Sequence, residues 1–406
     1  MTGIVSAQEN HRVVSGMRVS GRMHLGNYHG ALKNWLQLQY KYDCYFFAAD
    51  WHGLFTNYEN SHGIAAQCKL MIEDWLAAGL DPKVAKIFVQ SGVPEHAELH
   101  LLLSMITPLS WLERVPTYKD QQEKLKEKDL STYGFLGYPL LQSADILIYK
   151  PKYVPVGEDQ VAHIEITREI ARRFNHLYGL EPDFQARTDA AMSKMGSKNA
   201  KLFAQLVKRY KEQGDVAALQ EAKALLDIAA NLSIGDRERL EGYSSGQGKM
   251  ILPEPEVLLT KESKFPGLDG QKMSKSYNNT ITLTEDPASV AEKIKRMPTD
   301  PARVKRTDPG NPEKCPVWAL HKIYSSEEVK KWVVKGCTTA GIGCLECKAP
   351  LIDSIIAEQK PIIERAKYFA ANPALTQSII QESTERARDT AKQTLAEVRV
   401  AMGIAE

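Results

Sequence analysis

Two short loops carry residues suited to holding a phosphate anion. The first runs Ser15-Gly16-Met17-Arg18-Val19-Ser20-Gly21-Arg22-Met23-His24-Leu25-Gly26-Asn27. A β-branched run, Arg12 to Ser15, precedes it, and apolar residues at helical spacing follow. A glycine at a strand-to-helix junction lets a ligand approach the backbone. The helix N-terminus then offers unpaired N–H groups and a positive dipole. His24 adds a side-chain donor. Taken alone, the loop also fits a plain turn with a surface histidine. The second loop is Gly270-Gln271-Lys272-Met273-Ser274-Lys275-Ser276. Ammonium groups on flexible stems can follow a leaving pyrophosphate, although a lysine-serine loop by itself is equally at home as solvated surface. A third group is made of cysteines. Cys315, Cys337, Cys344 and Cys347 fall within 33 positions, separated by 21, 6 and 2 residues. Four thiolates suit zinc or an iron–sulfur cluster. Zinc ribbons usually show two close cysteine pairs, and only one is present here.

The first two loops are more specific together. His24-Leu25-Gly26-Asn27, about 250 residues before a complete Lys272-Met273-Ser274-Lys275-Ser276, resembles the paired signatures of the class I aminoacyl-tRNA synthetases. Asn27 stands where the usual signature ends in histidine, a replacement familiar in the tryptophanyl and tyrosyl branch. Asp50-Trp51-His52, Tyr138 through Leu147, Val154 through Gln160, and His163-Ile164-Glu165 are similar to the tryptophanyl branch. The resemblance covers nearly the whole chain apart from about Glu181 to Met250. Lys194-Met195-Gly196-Ser197-Lys198 is a partial second copy that lacks the serine after its methionine. Lys272 and Lys275 are therefore preferred.

The resemblance implies an enzyme that activates L-tryptophan with ATP and passes it to the 3′-terminal ribose of tRNA(Trp). His24, Asn27, Lys272 and Lys275 are then the catalytic clamp on phosphate. Arg18, Gly26, Gly157, Asp159, Met273 and Ser274 join them around ATP. Glu158 fixes the loop or the ribose. Asp145 would accept the indole N–H, and Gln142 lies one helical turn earlier on the same side. Tyr138, His52, Val154, Val156 and Gln160 complete the tryptophan pocket. Mg²⁺ would accompany ATP through its phosphates. The cysteine spacing resembles a bacterial subset that carries a [4Fe-4S] cluster at Cys315, Cys337, Cys344 and Cys347, with zinc as the alternative. A homodimer is implied, with the apolar segment Leu99 to Leu112 as either interface or core. Two other readings stay open: a tyrosyl-specific enzyme, and a paralogue that binds ligand without charging tRNA.

The elements that must position these groups read as α/β. Arg12–Ser15, Cys44–Ala49 and Lys86–Gln90 fit buried strands, with helices over about Asn27–Tyr40 and Ile64–Ala78. Gly79 is a C-cap candidate. Pro139–Tyr149 and Val161–Leu177 read as helices joined by a turn over Lys150–Gln160. The expectation is a Rossmann-like parallel-sheet catalytic domain over 1–180 and 251–290, interrupted by a helical insertion over 181–250. An all-helical tRNA anticodon-binding domain over 291–406 would carry the cysteine site. Within the insertion, Leu202, Phe203, Leu206, Val207 and Tyr210 form a helical stripe, and Gly242–Lys249 reads as a mobile linker.

Composition sets the outer limits. The 406 residues include 52 basic and 50 acidic side chains, so a nucleic-acid surface must be a local patch. Candidate patches are Lys293, Lys295, Arg296, Arg303, Lys305 and Arg306, and the lysines around the cysteines, among them Lys322, Lys330, Lys331, Lys335 and Lys348. With 43% hydrophobic and 25% charged residues, the chain is neither disordered nor fibrous. The longest apolar stretch is too short to span a bilayer and residues 1–12 have no apolar core, so a cytoplasmic location is expected.

Overall fold

A computed structural model describes residues 11–55, 57–115, 132–179, 181, 183–246, 248–259 and 265–405. Most of the N-terminal stretch read for a leader lies outside them. Five strands form one parallel sheet: β1 (Arg12–Arg18), β2 (Asp43–Ala49), β3 (Lys86–Val89), β4 (Tyr153–Val156) and β5 (Glu256–Leu259). Their spatial order is β3-β2-β1-β4-β5. Connections from β1 therefore leave to both sides, and the crevice at such a switch point is where open α/β sheets bind ligands.

Alternation along the strands builds two cores. Val13, Phe46, Ala48 and Ile87 face one side, packed with Trp35 and with Ile72 and Trp75 of helix α1 (Ile64–Ala78). Trp35 stacks on Phe46 with ring centroids 4.4 Å apart. Val14, Tyr45, Phe47 and Phe88 face the other side, toward α2 (Glu95–Ser104) and α3 (Tyr133–Leu147). A fourth helix, α4 (Val161–Tyr178), adds Ile166, Ile170 and Phe174. Strands covered on both faces lose the polar alternation of a half-exposed sheet, which is why β2 reads as a continuous apolar run.

Three local readings need correction. The segment Lys150–Gln160 is not only a turn, because β4 lies inside it. Pro155 hides the strand pattern. It is tolerated because pairing with β1 ends at Val13↔Tyr153, so its missing N–H breaks no ladder on that side. Helix α3 starts at Tyr133 rather than Pro139. The Thr132 side chain caps it by accepting from the Phe135 amide, and Pro139 is carried inside. Gly242–Lys249 is not a loose linker. A helix runs through Ser244, Lys249 N–H donates to Gly179 O at 2.7 Å, and Met250 N–H donates to Glu238 O at 3.0 Å. A Cβ on Gly242 would stand 1.6 Å from the Gly248 oxygen, so only glycine permits that approach.

Residues 184–244 fold into four helices, α5 (Phe184–Lys194), α6 (Ser197–Gln213), α7 (Val216–Ile228) and α8 (Ile234–Ser244). They share a separate core in which Phe203, Leu206 and Val207 are buried, whereas Leu202 is exposed. The partial lysine motif is structural. Lys194 pairs with Asp236 at 2.7 Å, and Gly196 takes φ +80° at the start of α6.

Beyond the sheet come α9 (Pro287–Arg296), α10 (Pro316–Tyr324), α11 (Glu327–Thr338), α12 (Cys344–Ala371) and α13 (Pro373–Ala401). Leu351, Ile355 and Ile362 of α12 enter the first sheet core. Ala387, Ala391, Leu395 and Val398 of α13 enter the second. Arg365 donates to Ala77 O and Ala78 O, closing the C-terminal end of α1. Among the described residues no helix is long and apolar enough to cross a membrane.

Candidate active site

The crevice between β1 and β4 opens into a cavity of about 420 Å³. Its walls include His52, Tyr138, Gln142, Asp145, Val154, Val156 and Gln160, expected around tryptophan, together with Arg18 and Gly157, expected around ATP. Phe55, Phe135 and Trp35 add aromatic surface that the sequence reading did not assign. Gly16 lies where a Cβ would stand 2.5 Å from the Phe47 ring.

Asp145 is the buried charge of this cavity, 1% exposed. His52 Nε2 donates to Oδ2 at 2.8 Å and His96 Nδ1 donates to Oδ1 at 2.7 Å. Gln90 Nε2 spans both oxygens at 2.8 and 2.9 Å. Burial alone would raise the carboxyl pKa. The hydrogen bonds from His52 and His96 together overcome it, holding Asp145 well below the usual carboxylate range. The site thus presents an anionic acceptor inside an aromatic box. A flat aromatic substrate with one N–H fits that chemistry, and a hydrocarbon ring leaves the acceptor without its partner.

At the same wall, His163 Nδ1 donates to Gln160 Oε1 at 2.7 Å. Its Nε2 faces the Tyr138 hydroxyl at 3.3 Å. Burial, with help from His52, lowers the His163 pKa to about 4, so it is neutral at pH 7. Gln160 Nε2 in turn donates to Asp159 at 3.2 Å, which ties the exposed Glu158–Gln160 turn together.

A second group lies at the N-terminal turn. His24 Nδ1 accepts from Asn27 N–H at 3.3 Å, and Asn27 Oδ1 accepts from His24 N–H at 3.2 Å. This reciprocal cap fixes the turn and uses the Asn27 oxygen. Burial first, then Lys275 and Lys272, lower the His24 pKa to about 4. A neutral imidazole that accepts at Nδ1 carries its proton on Nε2. His24 is therefore a fixed neutral N–H donor. Behind it, buried Asp74 accepts from Met23 N–H at 2.7 Å and from Arg22 at 2.7 Å.

The lysine loop packs directly on this turn. Gly26 N–H points at Met273 Sδ at 3.3 Å, and a Cβ on Gly26 would meet His24 at 2.9 Å. Lys275 Nζ donates to Ser20 O. Burial lowers its pKa from the ordinary lysine value. Inside the loop Asn279 accepts from Ser274 N–H at 2.8 Å and donates to Asp269 at 2.7 Å and Lys272 O at 3.1 Å. Ser274 hydrogen-bonds Ser276 at 2.8 Å. Two segments some 250 residues apart thus meet as one cationic, donor-rich surface.

The four cysteines gather away from both groups. Cys315 precedes α10, Cys337 lies in α11, and Cys344 and Cys347 occupy the first turn of α12. The Cys347 thiol is pushed up to about 12 by burial and then by Cys315, Cys337 and Cys344. Among the described residues no group of three or more His, Cys, Asp or Glu side chains meets the geometry for holding a metal ion. Part of the basic character expected here is spent internally. Lys348 is buried and donates to Lys295 O and Met297 O, Lys322 pairs with Glu313, and Arg303 donates to Arg306 O and Ile342 O.

Comparison with known proteins agrees with this geometry. Residues 6–211 and 236–358 match the family model described as tRNA synthetases class I (W and Y), and the chain belongs to that family. The match reaches further into 181–250 than the sequence reading expected. Among its relatives, the tryptophan–tRNA ligase of Ralstonia nicotianae is 61% identical over 393 residues, 97% of this chain and 98% of that one. The tryptophan–tRNA ligase of Thermotoga maritima is 43% identical, over 97% of this chain and 99% of its own. The tryptophanyl-tRNA synthetase of Campylobacter jejuni, solved with ADP and tryptophan, superposes with a TM-score of 0.70 at 26% identity. That superposition covers 97% of this chain and 99% of the other.

Proposed function

We propose that this chain ligates tryptophan to its tRNA, activating the amino acid with ATP first. The observation that carries the reading is a buried carboxylate in an aromatic box beside the paired His24 and Lys272–Lys275 groups. The tryptophan carboxylate attacks the α-phosphate, the bond to the β-phosphate breaks, and tryptophanyl-adenylate and pyrophosphate form. The substrate supplies its own nucleophile, so the protein contributes position and charge stabilisation. A hydroxyl of the tRNA 3′-terminal ribose then attacks the adenylate carbonyl, the anhydride bond to phosphate breaks, and AMP leaves.

Asp145 accepts the indole N–H. Val154, Val156 and Gln142 line the ring, and His52, Tyr138 and Gln160 hold the rest of the amino acid. His24 donates from Nε2 to a phosphate oxygen, while Asn27 keeps that imidazole oriented. Lys272 and Lys275 follow the departing pyrophosphate. Arg18, Gly26, Gly157, Asp159, Met273 and Ser274 surround the nucleotide. Mg²⁺ enters with ATP, held mainly by its phosphates.

The helical part, 291–406, receives the anticodon end of tRNA. A second copy of the chain meets the α2 region, where Leu101, Met105 and Leu109 stay exposed while Leu99, Leu102 and Leu103 fill the core. Cys315, Cys337, Cys344 and Cys347 hold a [4Fe-4S] cluster. An all-sulfur donor set, with Cys344 and Cys347 on the first turn of α12, supports that reading, and the cluster would tie α10, α11 and α12 together. Protein purified without oxygen should absorb broadly near ~400 nm and contain iron. Colourless protein with zinc in its place would overturn the cluster.

ATP–pyrophosphate exchange with each amino acid in turn, without tRNA, tests the main reading. Exchange with tryptophan alone is expected. Exchange with tyrosine would keep the reaction and remove Asp145 from its role. No exchange at all would make the chain a ligand-binding paralogue.

A further inference from the structure

Asp145 accepts from three side chains, and they are not equivalent. His52 lines the cavity with it, whereas His96 and Gln90 are wholly buried behind it, as is Tyr149, which meets His96. His96 Nε2 lies 2.6 Å from the Tyr149 hydroxyl. Burial raises the Tyr149 phenol well above its ordinary value, so that hydroxyl keeps its proton and donates. His96 Nε2 is then the acceptor, and its one N–H is on Nδ1, aimed at Asp145 Oδ1 at 2.7 Å. The other tautomer would set the Nδ1 lone pair against the carboxylate. Gln90 is fixed in the same manner. Its Oε1 accepts from Trp51 N–H at 3.2 Å, which turns its Nε2 toward Asp145.

We propose that His96 and Tyr149 are positioning residues for tryptophan recognition: they lock one carboxylate oxygen of Asp145 so that the other is the acceptor aimed at the indole N–H. The inference rests on the reading of Asp145 given above. The cavity-side oxygen, Oδ2, accepts from His52 at 2.8 Å and from Gln90 at 2.9 Å. His52 is on the cavity wall and 14% exposed at its side chain, so the incoming ring can take over this contact. His96 is not accessible to the ligand at all and stays in place through the cycle. An anion gripped from behind by a donor of fixed sense cannot rotate to follow a misplaced ring.

The test is ATP–pyrophosphate exchange with tryptophan and with β-(3-benzothienyl)alanine, in which sulfur replaces the indole N–H. The unmodified enzyme is expected to prefer tryptophan. Tyr149→Phe keeps ring and volume while releasing His96 from its fixed tautomer. His96→Leu removes the donor, and His96→Asn restores an N–H near the Nδ1 position. The expected result for Tyr149→Phe and His96→Leu is a fall of about ten- to a hundredfold in kcat/KM for tryptophan, as for one charged hydrogen bond. The analogue should lose much less, so the preference shrinks, with KM for ATP unchanged. His96→Asn should recover part of the preference lost in His96→Leu. Equal losses for both substrates would reduce the pair to structural packing and overturn the proposal. An intact preference in Tyr149→Phe and His96→Leu would overturn it as well. An unmodified enzyme with no preference would instead bring down the Asp145 reading beneath it.

Discussion

Asp145→Ala is expected to lower kcat/KM for tryptophan by about a thousandfold. A hydrogen bond to a charged group contributes roughly 1.5–3 kcal/mol, and an indole N–H left buried without a partner costs roughly another 1–3 kcal/mol. At about 1.4 kcal/mol per factor of ten, three decades follow. KM for ATP should stay within about twofold, since no phosphate-binding group touches this carboxylate. Phenylalanine, which has no N–H, should lose far less, so discrimination collapses with activity. The substitution also strands the donors of His52, His96 and Gln90, so the thermal midpoint should fall too. Steady-state pyrophosphate exchange with both amino acids, beside a melting curve, measures all three effects. Discrimination that survives the substitution would remove Asp145 from the pocket.

The second large effect belongs to the lysine loop. Lys272→Ala and Lys275→Ala should each reduce kcat for adenylate formation by about a hundredfold to a thousandfold, the usual result of removing a transition-state charge partner. KM for tryptophan should move little, because the charge they meet develops on pyrophosphate and not on the amino acid. Losses in the double variant should fall short of the product of the two single losses if the lysines act as a unit. Single-turnover formation of the adenylate reads this directly. A change in tryptophan KM with unchanged kcat would place the loop in ground-state binding instead.

Much of this site was legible because two of its pieces are contiguous in sequence. His24 to Asn27 and Lys272 to Ser276 each form a local loop whose backbone does the work. Asp145 is legible through the resemblance of Tyr138 to Leu147 to the tryptophanyl branch, with Gln142 one helical turn away on the same helix. His96, Gln90 and Tyr149 are not. Each is an ordinary residue on a different element, and only the packing of α2 and α3 against β3 brings them to one carboxylate. No spacing rule connects positions 90 and 96 to 145, and Tyr149, one helical turn after Asp145, joins the group only through His96. The strands of the sheet were readable where both faces are buried, as in β2. β4 is hidden because Pro151, Pro155 and Gly157 read as a turn and mask the valines flanking Pro155. The core stripe of α6 was read correctly at Phe203, Leu206 and Val207, while Leu202 and Tyr210 face outward or half outward.

The fastening of the lysine loop has a consequence for its two cations. Asn279 stitches the loop to itself through Ser274, Lys272 and Asp269, so its interior is rigid. Its base is anchored by backbone bonds, Leu25 N–H to Ile281 O at 3.0 Å and Leu283 N–H to Met23 O at 2.8 Å. Its tip touches the His24 turn through softer contacts, a thioether sulfur and one ammonium. Met273 itself is 3% exposed and belongs to the first sheet core, so the catch is a buried apolar side chain as well as a sulfur contact. A loop tied at its base and seated by one methionine holds Lys272 and Lys275 in register, so a substitution at Met273 should disturb both cations together.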